Sequence, residues 1–376
     1  MIYFDNAATG GFKPNSSLSA AENVIRNVSA NPGRSGHRLS LLGEQIIDSC
    51  REELAEFFEG ESSRVIFTKN CTEALNLAIF GCVKKGGKVL VSCYEHNSVL
   101  RPLYHLSKTS DVTYEVIYPT LDKPIEQLFE EKITHNVCLI ICTAISNVTG
   151  EVMPIEKIGK VAKRYHIPFL IDGAQGGGHI ELGLQKCNAS LIALAGHKGL
   201  YGIMGSGALI VGNDVELSPI IFGGTGTETF NQNQPETYPE RLESGTLNLP
   251  AIASLYEGVK YIKRNMTNFS QTLTSQTSIL IEGLNKIKGV KCYSFSNPSG
   301  IVAFSIKNLP SGEVADILNS KYDVAVRGGF HCAPLTHKFL GTEDNGLVRI
   351  SLAVQNTTRE ILYCIKCINE IANSQN

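Results

Sequence analysis

The residues that could do chemistry in this sequence fall where apolar runs end. In PFLIDGAQ, residues 168–175, an apolar run stops at Asp172. In LIALAGHKG, residues 191–199, another stops at Gly-His-Lys, which sets Lys198 about one strand–helix–strand unit beyond Asp172. A carboxylate at a sheet edge calls for a cationic partner. A lysine there sheds its proton readily once desolvated and attacks carbonyls as a free amine. In YEHNSVL, residues 94–100, His96 falls where a strand passes into a helix. Its flat ring suits stacking on a planar ligand or proton transfer near neutral pH. In TKNCTEALN, residues 68–76, Cys71, Thr72 and the amides around them fall at a helix N-terminus, a ready site for phosphate.

Taken singly, a capping aspartate, a solvated loop lysine, a structural histidine and an ordinary helix cap account for these residues equally well. Together they make a more specific set: an acid for a ring cation, a Schiff-base lysine, an aromatic lid and a phosphate cradle. A pyridoxal phosphate site requires that set.

A fifth feature is RGGFHCAPLTHK, residues 327–338, which puts Cys332 in a glycine-led turn. The chain has 11 cysteines, so one more thiol is unremarked in itself. Cys138 and Cys142 fall in an apolar run, Cys93 ends another, and Cys82 follows an apolar helical stretch, all readings that suit a small buried hydrophobe. Cys364 and Cys367 form a single C-x-x-C in an amphipathic helical stretch, whereas a structural zinc site needs about four ligands. No metal site is expected.

The composition frames these residues. At 376 residues the chain is long enough for two domains. Hydrophobic residues at 43% and charged residues at 19% are ordinary globular proportions. A net charge of −2, with no block of Lys or Arg, gives no sign of a nucleic-acid or anionic-membrane surface. MIYFDNAATGG does not read as a signal peptide, and the longest apolar runs fall far short of a membrane span. A cytoplasmic compartment is the expectation, with the cysteines as thiols rather than disulfides.

Apolar runs at 64–68, 88–94, 112–118, 137–146, 167–174, 190–196 and 207–212 read as strands, with helical patterns between several of them. That alternation predicts an α/β fold with a mostly parallel seven-stranded sheet covered on both faces. Its carboxyl edge is where ligands bind. The pattern changes near residue 250. LPAIASLYEGVKYIKRNM predicts a long helix opened by Pro250, followed by a second helix and a mixture of strands and helices. Residues 16–250 are therefore expected to form a large domain. Residues 1–15 and 251–376 are expected to form a smaller α+β domain carrying the cysteine turn.

At this point the chain resembles a known family. YFDNAATG, RSGHRLS, FTKNCTEALN, EHNS, SNVTGEV, IDGAQ, GHKGLYG, RLESGTLN, RGGFHCAPL and VRISLAVQNT run nearly end to end. They resemble the class V aminotransferases of fold-type I, in the cysteine desulfurase and selenocysteine lyase branch. The resemblance implies that Lys198 carries the cofactor and shuttles the Cα proton, that Asp172 pairs with the ring nitrogen, that His96 stacks on the ring and that Gln175 bonds the ring oxygen. It implies that Thr72 and His197 hold the phosphate, with Cys71 beside them, and that Thr225 reaches the neighbouring active site of a homodimer. It further implies that Arg349 and Asn147 bind the substrate, Arg349 forking onto its carboxylate. Asn6 and Ala7 would line the entrance.

Two departures stand out. Ala195 occupies a position where the family often has serine or threonine, which removes one phosphate hydrogen bond. Phe330 stands where the well-studied members of this branch usually have a second histidine. The implied reaction takes L-cysteine or selenocysteine to L-alanine and leaves a persulfide on Cys332, for a possible sulfur-acceptor protein. Attack needs the thiolate, and His331 and the amides of the motif are expected to lower the pKa of Cys332. A transamination or β-elimination on another amino acid would use the same cofactor residues and leave Cys332 a bystander. A non-catalytic carrier or regulatory module that kept the fold is the remaining alternative.

Overall fold

The computed structural model describes residues 1–33 and 35–374. Arg34, the first residue of the RSGHRLS motif, lies outside the described residues. The expected strands form one sheet from β2 (Val65–Thr68), β3 (Lys88–Ser92), β4 (Thr113–Ile117), β5 (Val137–Thr143), β6 (Phe169–Asp172), β7 (Leu191–Ala195) and β8 (Gly207–Val211); β1 (Ile2–Tyr3) lies elsewhere. The order across the seven strands is β2-β8-β7-β6-β5-β3-β4. Every neighbouring pair is parallel except those made by β8, which runs against both β2 and β7.

Successive strand residues point to opposite faces, and both faces are covered, so the strands are apolar throughout. On one face Leu90, Ile140, Ile171 and Ile192 meet α1 (Asn15–Asn27), α2 (Arg38–Phe57), α5 (Ile125–Glu131) and α6 (Ile155–Arg164). On the other, Val91, Ile141, Leu170 and Ala193 meet α3 (Cys71–Cys82) and α4 (Asn97–Thr109). A short α7 (Leu184–Cys187) leads into β7.

The two helices expected after residue 250 are one. Helix α8 runs unbroken over Leu249–Asn285 for 37 residues, capped by the Asn248 side chain on Ala251 N and opened by Pro250. No proline or glycine pair interrupts it, and its two halves serve different cores. Leu249, Ile252, Leu255, Val259 and Ile262 pack against the seven-stranded sheet. Leu273, Leu280 and Leu284 pack in a separate core with Phe4, Phe304, Val348 and Ile368. This second core is built on an antiparallel sheet of β9 (Val290–Cys292), β10 (Ile301–Ile306), β12 (Arg327–Gly329) and β13 (Leu347–Ser351), in the order β12-β13-β10-β9. Helices α9 (Ser311–Tyr322), α10 (Pro334–Leu340) and α11 (Thr358–Asn373) complete it. Cys364 and Cys367 of α11 are buried there as packing.

Residues 324–329 divide between two sheets. β11 (Val324–Ala325) pairs in parallel with β1, whereas β12 pairs with β13. The first residues of the chain therefore belong to this second layer. Asp5 bridges Ser351, and Ala7 N donates to Ser351 Oγ at 2.9 Å.

Candidate active site

The carboxyl ends of β2, β3, β5, β6 and β7 lie along one edge of the large sheet, and that edge collects the chemistry. Asp172 ends β6, opposite Thr143 at the end of β5. Lys198 and His197 follow the end of β7, and His96 caps α4 after β3. Asn70 caps α3 after β2, its side chain accepting from Glu73 N. A cavity of about 90 Å³ is lined by Cys71, Thr72, His96, Asn147, Asp172, Gln175, Ala195, His197 and Lys198. Residues far apart in sequence thus meet, because the turns after several strands share one edge. The cavity shares Thr72, His96 and Ser98 with an outer one of about 550 Å³, whose lining includes Cys332.

Asp172 is buried, and its Oδ1 accepts Ala174 N–H at 2.9 Å and the Cys71 thiol at 3.6 Å. Among the described residues nothing hydrogen-bonds its Oδ2. Burial pushes the Lys198 amine below its ordinary value, which favours the neutral, nucleophilic form. Burial likewise lowers His96, whose Nδ1 accepts from Ser98 N at 3.0 Å and meets Ser98 Oγ at 2.8 Å. The acceptor role at Nδ1 puts the ring proton on Nε2. Ser98 Oγ is in turn 2.8 Å from Thr72 Oγ1, so a hydroxyl the sequence did not single out joins the two expected residues. His197 is pushed down to about 4 by burial and by Lys198 and Lys13, and its Nδ1 lies 3.1 Å from Thr9 Oγ1. Gln175 donates from Nε2 to Ala7 O at 2.9 Å, which ties the entrance segment to the site floor. Asn6 is similarly engaged, through Nδ2 to Ser351 O at 2.9 Å.

Glu95, which the sequence does not single out beside His96, is a buried acid that the charge of Asp172 reaches. Its side chain is fully buried, its Oε1 accepts Ser92 Oγ at 2.6 Å and Thr143 N at 2.8 Å, and its Oε2 has no partner. Burial, then the charge of Asp172, pushes it up to about 8. An acid closing an apolar run, one residue before a helix cap, is the available signal.

Residues beside the antiparallel sheet β12-β13-β10-β9 complete the surroundings. The turn 330–333 places His331 and Cys332 at φ 49° and 58°, two consecutive left-handed residues. Such a turn is strained for side chains with a Cβ, and the large domain pins both of its carbonyls. Asn147 Nδ2 donates to His331 O and Asn97 N to Cys332 O, each at 2.7 Å. Among the described cysteines Cys332 alone is exposed. The His331 ring is not set up to act on Cys332 as a cation. It is buried, its Nε2 faces Leu347 O at 3.0 Å, and burial with Arg349 and Arg327 pushes it down to about 2, so it stays neutral. Phe330 turns its ring edge-on to His337, with centroids 5.4 Å apart. Arg349, 1% exposed, pairs through Nη2 with Asp5 Oδ1 at 2.8 Å and donates from Nη1 to Asn147 O at 2.9 Å. Thr225 is not brought to these residues; within one chain it lines a separate cavity of about 440 Å³ with Arg51 and Glu243.

The α/β fold thus sets a desolvated lysine amine and a buried carboxylate at one edge of its large sheet. The aminotransferase class-V family model matches residues 2–363, and the chain belongs to that family. Its enzymes depend on pyridoxal phosphate. The chain is 32% identical to a probable cysteine desulfurase of Pyrococcus abyssi, over all of this chain and 95% of that one. It is 31% identical to one of Methanothermobacter thermautotrophicus, over 99% and 94% of the two chains. The solved apo structure of the cysteine desulfurase from Thermococcus onnurineus superposes with a TM-score of 0.91 at 30% identity, over 99% of this chain and 95% of that one.

Proposed function

We propose that this chain is a homodimeric, pyridoxal phosphate-dependent cysteine desulfurase that passes the sulfur of L-cysteine to Cys332 and releases L-alanine. One observation carries the reading. The exposed cysteine sits on a turn pinned against the large domain, in a cavity that adjoins the one lined by Lys198, Asp172 and His96.

The residues fit the cofactor. Asp172 Oδ2 is open to a ring N–H, His96 has a ring in the wall, and Thr72 with Ser98 offers hydroxyls at a helix N-terminus. The Ser98 hydroxyl stands in for the one absent at Ala195. His197, being neutral, contributes a hydrogen bond rather than charge. Gln175 and Cys71 complete the wall. When bound, pyridoxal phosphate supplies a carbonyl carbon for the substrate amine and an electron sink for the Cα–H bond.

The chain's own residues do the rest. Lys198, whose amine burial pushes toward the neutral form, would hold the cofactor and take the Cα proton at Nζ. Arg349 holds the carboxylate, with the Asn147 turn fixing one arm of its fork. Asn6 and Ala7 form the rim. The Cys332 thiolate attacks the substrate sulfur. The Cβ–S bond breaks, an S–S bond forms, and the carbon takes up a proton, so cysteine and the thiol give alanine and a persulfide without an outside oxidant. That persulfide, on an exposed turn, is open to a sulfur-acceptor protein in the cytoplasm.

Thr225 reaches the site of the neighbouring subunit. Phe222 and Phe230 beside it are 71% and 101% exposed, an apolar surface that a second copy would cover.

The test is alanine formation by purified protein with L-cysteine, selenocysteine and cysteine sulfinate. Alanine from cysteine, with equal sulfide once a thiol reductant is supplied, supports the reading. A requirement for a keto acid, with no sulfide, would replace it with transamination.

A further inference from the structure

Arg349 and Arg327 are directly opposed on β13 and β12. Opposed side chains on antiparallel strands share a face, and like charges there are destabilising. Burial lowers the Arg349 guanidinium below its ordinary value, Arg327 lowers it further, and Asp5 acts in the opposite direction. The Arg327 side chain makes no hydrogen bond or ion pair among the described residues, and its charge also reaches Lys198 and His96. Two cations thus share one face of this sheet, Asp5 pairs with Arg349 alone, and both positive charges reach Lys198.

The geometry of Arg349 says where an anionic group would go. A guanidinium has five N–H donors in a rigid fork. Asp5 holds one at Nη2 and Asn147 O holds one at Nη1, while the buried Nε has no acceptor. An unmet charged donor is costly in a folded protein, and a substrate carboxylate is the acceptor the proposed reaction supplies. Asp5 is brought to this place by the chain's first residues, which run alongside β11 and β13. The single Tyr3 hydroxyl lies 3.1 Å from Asp5 O and 3.0 Å from Thr9 O and shares its proton between them, which braces the segment.

We propose that Asp5 is a positioning residue for substrate, one that fixes the Arg349 fork with its Nε edge turned to the amino-acid carboxylate. The proposal rests on Arg349 being the carboxylate site. It differs from the reading in which Asp5 merely occupies that place until substrate displaces it. The two give opposite signs: removing a positioning residue weakens carboxylate binding, whereas removing a competitor strengthens it.

The experiment uses the holoenzyme and its Asp5→Asn, Asp5→Ala and Arg349→Gln variants. Binding of L-alanine and of L-alaninamide, which lacks the carboxylate, is followed through the cofactor absorbance, and KM and kcat are measured with L-cysteine. Asp5→Ala is expected to weaken alanine and raise KM about tenfold, the loss of one charge-assisted contact, with kcat and alaninamide binding changed less than about twofold. Asp5→Asn, which keeps an acceptor oxygen, should recover part of the loss and guards against a misfolded alanine variant. Unchanged or tighter alanine binding in both Asp5 variants, with Arg349→Gln still impaired, overturns the proposal. So does an equal loss for alanine and alaninamide, the mark of a merely structural role. Undiminished alanine binding by Arg349→Gln removes the Arg349 assignment itself.

Discussion

Replacing Glu95 by glutamine should make stability less dependent on pH, and the structure gives both the sign and the size. Glu95 is fully buried and pushed from its ordinary 4.5 to about 8. Between those values the folded chain keeps the proton that the unfolded chain gives up. Folding therefore binds a proton, and stability falls as pH rises through that window. At about 1.4 kcal/mol per pH unit the cost accumulates to about 5 kcal/mol by pH 8 and then levels off. In Glu95→Gln the new side chain would keep the acceptor oxygen that meets Ser92 Oγ and Thr143 N, and would add an amide where Oε2 has no partner, at a cost of about 1–3 kcal/mol. The variant should thus be no more stable than the parent near pH 5 and more stable by a few kcal/mol above pH 8. Urea unfolding of both proteins at a series of pH values reads the difference directly. A difference that stays flat from about pH 5 to about pH 9 refutes the reasoning.

Other residues give sharper single outcomes. Lys198→Ala should lose the borohydride-reducible link to the cofactor and reduce turnover of cysteine by at least about 10²–10⁴-fold, as assayed by alanine formation. Arg51→Met should cost about 3–5 kcal/mol in urea unfolding, since Arg51 and Glu243 are both 8% exposed and paired at 2.6 Å, and the change strands a buried carboxylate. Phe330→Ala should leave kcat within about threefold and cost about 1 kcal/mol, because its half-exposed ring packs on His337. A tenfold loss of activity without a change in melting temperature would instead put that ring against the substrate.

The large sheet was legible because its strands are apolar on both faces, and that pattern needs no knowledge of partners. The edge residues were legible for a related reason: a polar residue ending an apolar run, as at Asp172 or before His197 and Lys198, marks the end of a strand. Glu95 and Ser98 were harder, because their meaning comes from an unmet oxygen and a shared hydroxyl that only the folded site reveals. Asp5 lies 344 positions from Arg349, and no local pattern announces the pair. The lowered pKa of His331 likewise comes from its burial and from the charges of Arg349 and Arg327, which only the fold brings near it. Helix α8 reads as two helices in the sequence because its apolar stripe serves one core up to Ile262 and another from Leu273, so a single face cannot be followed through its middle.

The central claim is that the substrate's sulfur comes to rest on Cys332. Protein treated with one equivalent of L-cysteine, without reductant, can be digested and its thiol peptides weighed. The peptide containing Cys332 should gain one sulfur atom in step with the alanine released, and Cys332→Ala should retain the cofactor absorbance yet release no sulfide. Alanine and sulfide formed at the parental rate by Cys332→Ala would contradict the account.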